Sequence, residues 1–154
     1  MPSILLPVEH FEQRRDGECL AACAAMALAY MSFPFTYERL VTLLRIQEGV
    51  GTGAFNVHEL EKLGLTVIYK RGTLDELREH LTNNRPCIAF VNTGELPYWN
   101  EATGHAVVVI GLDNQNIHVN DPAFPNAPLQ VSHGDFGLAW LERDEFYAAL
   151  SRRT

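Results

Sequence analysis

Gln13-Arg14-Arg15-Asp16-Gly17-Glu18-Cys19-Leu20-Ala21-Ala22-Cys23-Ala24-Ala25-Met26 is the stretch on which the fold turns. It sets a polar, glycine-containing loop directly against a segment, Cys19 to Met31, that is rich in Ala, Leu and Met and holds neither Gly nor Pro. Such a segment forms a helix apolar on nearly every side, and a helix of that kind belongs in the middle of a core. A thiol at its head meets unpaired N–H groups and the positive end of the helix dipole, which favour thiolate over thiol. Cys19 is therefore the candidate nucleophile. Cys23, one turn further in, and Cys87, inside Cys87-Ile88-Ala89-Phe90-Val91, read as small buried apolar residues.

Working outward, a second helix is expected over Thr36 to Gln47, with Thr36 as N-cap and Leu40, Leu43 and Leu44 as its apolar stripe. Gly49-Val50-Gly51-Thr52-Gly53 reads as a flexible break, and Asn56 as the cap of a helix that runs through Leu63 and stops at Gly64. Leu65 to Tyr69 reads as a strand. Thr73 to Leu81 reads as a helix with Thr73 as cap and Glu76 completing a capping box. The strand Cys87 to Asn92 is followed by a Gly, Pro and aromatic loop from Thr93 to Gly104. His105 to Leu112 and Ile117 to Asn120 then flank Asp113-Asn114-Gln115-Asn116 as a hairpin. A last helix is expected over Glu142 to Leu150. Helices early and strands mostly late describe an α+β protein, read as one domain over residues 1–154.

A thiolate needs a base, and the chain offers six histidines. His105 stands apart because it follows Gly104, opens the strand His105-Ala106-Val107-Val108-Val109-Ile110-Gly111 and has Tyr98-Trp99 just upstream. Asp121, in Val119-Asn120-Asp121-Pro122, ends the partner strand, where Pro122 forces the chain out of the ladder. Placed opposite His105, Asp121 accepts from the imidazole and fixes its tautomer; by itself an Asp before Pro122 also reads as a turn initiator. That pairing centres the hairpin slightly before the expected turn, an offset that a bulge absorbs. The Gln13 amide and the Cys19 N–H together form an oxyanion hole. Tyr98 and Trp99 line substrate subsites or fill a lobe contact.

Composition bounds the partners. The 154 residues are 47% hydrophobic and 20% charged, enough for a sizeable core. A formal charge of −7 and a pI near 5.3 set the molecule against nucleic acid and anionic membranes. No stretch approaches the roughly 20 apolar residues of a membrane-spanning helix. The start of the chain, Met1 to Val8, lacks a basic region and is interrupted by Pro7, so it does not read as a secretory signal and a cytoplasmic protein is expected. Three cysteines point to reduced thiols. Cys19 and Cys23, four apart on one helix, lack zinc-knuckle spacing, so neither metal nor cofactor is expected. Glu9 to Arg15 and Glu142 to Glu145 read as solvated faces. No feature of the sequence sets an oligomeric state.

Together, Gln13 six positions before Cys19, Gly17-Glu18-Cys19-Leu20-Ala21-Ala22-Cys23, Gly104-His105-Ala106-Val107-Val108-Val109-Ile110-Gly111 and Val119-Asn120-Asp121-Pro122 resemble the C39 family of papain-like cysteine peptidases. Arg85-Pro86-Cys87-Ile88 and Phe136-Gly137-Leu138-Ala139-Trp140 extend the resemblance over nearly the whole chain. It implies a papain-like fold, with a helical lobe carrying the cysteine packed against an antiparallel sheet lobe carrying the histidine. It also implies that Cys19 attacks a peptide carbonyl, His105 moves the proton, Asp121 orients His105 and Gln13 binds the oxyanion. The substrate is then a peptide or protein, and the chain a standalone C39-like domain. Family members usually carry Asp-Cys-Gly where this chain has Glu18-Cys19-Leu20, so Leu20 alters either the approach of substrate or the packing under the nucleophile. Leader-peptide processing, another acyl-enzyme reaction (deamidation, transamidation, isopeptide cleavage) and a silent peptide-binding module all remain open at this level.

Overall fold

The computed structural model describes residues 3–153. Met1 and Pro2, where the stretch read for a signal begins, lie outside the described residues. The helix read from the opening stretch forms as α1, Cys19–Tyr30, and every residue from Leu20 to Leu28 on it is buried. It packs on β4 (Gly104–Leu112) and against α2 (Tyr37–Leu43).

α2 starts where expected, with the Thr36 hydroxyl accepting from the Arg39 N–H, but stops short of Gln47. Arg45 takes φ 57°, its N–H donates to Thr42 and the Ile46 N–H reaches back to Val41. This Schellman ending is built without its usual glycine, so no stop signal is legible in the residues. The expected Asn56-capped helix is a 3-10 helix over Ala54–Leu63 with Gly53 at the N-cap position, and the Asn56 amide donates to the Thr52 hydroxyl at 2.8 Å.

Among the described residues seven strands, six of them from Leu65 onward, form one antiparallel sheet. Its path runs β2 (Leu65–Arg71), β7 (Phe146–Arg152), β3 (Cys87–Asn92), β4, β5 (Asn116–Asn120) and β6 (Leu129–Ser132), while β1 (Ile4–Leu5) joins the far end of β4. Between β2 and β3, α3 covers Leu74–Thr82, and Thr73 caps it by accepting from the Glu76 N–H. β4 is buried from His105 to Leu112 and so carries the centre of the sheet.

The expected helix at Glu142 to Leu150 is corrected. The helix lies earlier, as α4 (His133–Leu141), capped by Ser132, and residues 147–150 are the buried part of β7. Gly134 and Gly137 hid α4 from a propensity reading. Ala148 and Ala149 made β7 look helical, although a strand buried between two neighbours needs only a continuous apolar run. Between them the chain turns on Asp144 and Glu145, both at positive φ (60° and 59°).

Candidate active site

The thiol sits at the first residue of α1, half-buried, at a helix start that no side chain caps. Thr36, Thr73 and Ser132 cap α2, α3 and α4. Glu18, at the corresponding position of α1, is drawn away, its carboxylate accepting from the Tyr37 hydroxyl at 2.9 Å. The N–H groups of the first turn of α1 thus have no side-chain acceptor and face the thiol.

His105 enters from β4, where its Cα pairs with Val91 of β3. The hairpin register differs in detail from the expected one. Val108 faces Asn120, and a bulge between Val109 and Gly111 brings Leu112 opposite Ile117. Continued one residue, the register sets Asp121 level with Val107, a diagonal neighbour of His105 on the same sheet face. The side chains still meet: His105 Nε2 lies 2.7 Å from Asp121 Oδ1, with both side chains buried. That bond occupies Nε2, so the other ring nitrogen, Nδ1, is left for the thiol, with which His105 shares a hydrogen bond.

Asp121 is fully buried and accepts from three further donors. The Ala123 N–H reaches Oδ1 at 2.9 Å, and the Tyr98 hydroxyl and Trp99 Nε1–H reach Oδ2 at 2.8 and 3.0 Å. Trp99 also sets its ring against the imidazole, centroids 4.9 Å apart, and Phe124 packs on both Tyr98 and Trp99. Trp99 borders the cleft, whereas the polar end of Tyr98 is spent on Asp121.

The electrostatics follow from these contacts. Burial opposes ionisation of Cys19, but the hydrogen bond and charge of His105, aided by the Ala106 and Leu20 N–H groups, outweigh it and hold the thiol below its usual pKa. For His105, burial disfavours the cation, and the Asp121 and Cys19 partners override it, lifting the imidazole to about 9. Burial likewise opposes charge on Asp121, and His105, the Ala123 N–H and Trp99 hold it below the ordinary carboxylate value. The opposite shifts, thiol down and imidazole up, favour transfer of the thiol proton to His105. Desolvation pushes Cys23 well above the usual thiol value and Cys87 to about 12.

The pair lies at the base of a cleft that runs to both sides of it. One arm, of about 480 Å³, is walled by Gln13, Gly17, Gly51, Trp99 and Phe124; the other, of about 270 Å³, by Leu20, Phe90, Thr103 and Arg143. Gln13 donates its backbone N–H to Pro122, and its side-chain Oε1 is buried without a protein partner. The two ends of a glutamine amide exchange by rotation, so the end facing inward is equally an N–H donor. Leu20 is 3% exposed and borders the narrower arm.

Sequence reasoning missed the Gly49–Gly53 segment, which is a wall of the cleft rather than a loose break. Gly17 carries φ 87°, and a Cβ there would stand 2.7 Å from the Gly51 nitrogen, so the loop before the thiol and this wall touch backbone to backbone. The two glycines were the only available signal. Among the described residues no three His, Cys, Asp or Glu side chains gather as metal ligands.

A helical layer and an antiparallel sheet that meet along such a cleft define the papain-like architecture. The chain belongs to the Peptidase_C39 like family, whose model matches residues 5–145. Its fold is similar to that of a C39-like peptidase from Bacillus anthracis (TM-score 0.78, 17% identity, 100% of both chains). It is also similar to a double glycine motif protease from an AMS/PCAT transporter, solved with the leader peptide (TM-score 0.73, 22% identity, 95% of this chain and 92% of that one). A third likeness is to the peptidase domain of Streptococcus ComA, a bifunctional ABC transporter of a quorum-sensing pathway (TM-score 0.74, 19% identity, 95% and 99%). At these identities the likeness concerns the fold. No curated protein matches the sequence significantly. Among the described residues no helix is long and apolar enough to cross a membrane.

Proposed function

We propose that this chain is a cysteine peptidase that cleaves peptide bonds through an acyl-thioester on Cys19. The observation that carries this reading is the line of contact from the Cys19 thiol through His105 to the fully buried Asp121, open to a cleft on both sides. The Cys19 thiolate adds to the scissile carbonyl carbon, and the electron pair moved onto oxygen is held by the Gln13 amide and the Cys19 N–H. The His105 imidazolium gives its proton to the departing amine as the C–N bond breaks. Water then loses a proton to His105 and attacks the thioester, releasing the acid and restoring the pair. Asp121 keeps Nε2 of His105 protonated and Nδ1 directed at sulfur, and Tyr98 and Trp99 hold Asp121.

Family membership supports peptide chemistry, with leader-peptide cleavage as one form of it. Incubation of wild type and Cys19→Ala with a diverse peptide library, products read by mass spectrometry, tests the proposal. Cleavage by wild type alone is expected. Silence from both proteins would favour a peptide-binding module, and mass gain of about one dalton without cleavage would favour deamidation.

A further inference from the structure

The narrower arm of the cleft ends on Arg143, a residue whose charge run reads in the sequence as a solvated face. Its side chain is instead half-buried. The guanidinium lies over the backbone of Gly104, next to His105, so closely that a Cβ on residue 104 would stand 2.5 Å from Nη1. Its charge also acts on the Tyr69 hydroxyl.

Among the described residues, this guanidinium has no hydrogen-bond or ion-pair partner. Arg14 pairs with Glu38, Arg45 and Lys62 with Glu59, and Lys70 with Glu76, whereas Arg15 and Arg39, which show no such pairing, are exposed to water as Arg143 is not. Asp144, the next residue, turns to Arg71 instead. Removing an arginine from water without an anion costs free energy, and the fold makes no local repair. The turn that presents it is held by backbone hydrogen bonds. The Trp140 carbonyl accepts from both the Arg143 and Glu145 N–H groups, Gly72 donates to the Glu145 carbonyl, and Asp144 and Glu145 both hold the left-handed conformation. Two successive non-glycine residues in that conformation cost of order 1–3 kcal/mol each.

We propose that Arg143 is a carboxylate-binding residue of the cleft. Resting on the peptidase reading above, the inference is that the favoured peptide carries a carboxylate within about three residues of the bond under attack, since an extended chain advances ~3.3 Å per residue. The carboxylate is that of an Asp or Glu side chain, or the free C-terminus of the peptide; the guanidinium fork takes either in the same bidentate way. Val50, Ala54, Phe90 and Thr103 shape the same arm and supply no competing charge. The opposite arm is bordered by Asp16 and Glu101, so the cleft is polarised and a peptide with its acid on the Arg143 side is favoured in one direction over the other.

The test uses epoxysuccinyl peptides, which alkylate a reactive thiol, extended from the epoxide in either chain direction. Matched members differ only in Glu or Gln at each of the first four positions, and a third set ends in a free carboxylate or its amide. The readout is the rate of Cys19 labelling by mass spectrometry. In wild type, one position in one direction is expected to favour the acid by about tenfold or more. Arg143→Gln removes that preference, Arg143→Lys keeps part of it and Arg143→Glu reverses it. A Glu preference identifies a side-chain acid, and preference only in the third set identifies the terminus.

Labelling of Cys19 with equal rates for acid and amide everywhere would overturn the carboxylate site and leave the peptidase proposal standing. Failure of every probe to label Cys19 would strike the peptidase proposal instead. Binding of the same pairs, epoxide removed, to Cys19→Ala would still decide on Arg143: a Glu preference supports the site, parity overturns it.

Discussion

Cys19 and Cys23 stand one turn apart on the same helix, and the fold drives their thiols in opposite directions. Burial acts against the thiolate at both positions. At Cys19 it is outweighed by an imidazole and by N–H groups that no cap has claimed. At Cys23, one turn deeper, those groups are already spent on the helix ladder, and nearby Cys19 and Asp121 add repulsion. The difference between the two thiols is therefore a property of the helix end and of what the sheet brings to it, rather than of the residue type.

The largest effect expected from this contrast is in alkylation. Iodoacetamide at neutral pH should modify Cys19 at least about 100-fold faster than Cys23, as followed by peptide mass spectrometry, because each unit of pKa separation is tenfold in thiolate. Comparable rates would erase the distinction between the two turns. Next, His105→Ala should slow Cys19 labelling by about 10–100-fold at pH 7 while leaving Cys23 as inert as before. Asp121→Asn, which keeps the shape but not the charge, should slow it by about tenfold.

Alkylation and hydrolysis should also part company with pH. His105 holds its proton up to about 9, and the Cys19 thiol titrates below its ordinary 9.0, so both reactions are expected from the lowered thiol titration up to about 9. Above about 9 the imidazole can no longer protonate the leaving amine, so hydrolysis should fall while alkylation persists. The sign for stability is consistent. The raised His105 contributes stability that is whole below 6.5 and fades as pH rises through about 9. The lowered Cys19 contributes stability that is whole above 9.0 and fades as pH falls. The smallest effect belongs to Tyr98→Phe, which removes one donor to Asp121 and should cost about 1 kcal/mol in urea unfolding and roughly threefold in labelling. No change in either would mean that the hydroxyl is idle.

The sequence was most informative where one local rule decided the outcome. An apolar segment without Gly or Pro made α1 legible, Thr36 and Thr73 marked two helix starts, and a polar tetrapeptide marked the turn between β4 and β5. It was least informative where tertiary contact overruled local preference. Nothing in Arg45 announces a left-handed residue, and two alanines in β7 favour a helix until β2 and β3 claim both edges. Candidate site residues were legible as types at element boundaries. The bonds that Tyr98 and Trp99 make to Asp121 were not, since they depend on a loop folding over a strand end about 20 residues away. Arg143 was hidden for the same reason, because its charge run looks like any wet surface until the turn at Asp144 and Glu145 aims it inward.

β4 is gripped by β3 along its first half, by β5 along its second and by β1 at its far end. An imidazole anchored to such a strand keeps its address whatever happens at the surface. The two short segments facing it, one rich in glycine and one bent twice to the left, bear no such obligation. For the peptidase proposed above, substitutions confined to those turns would change which peptides fit and leave the groups that move the proton as they are.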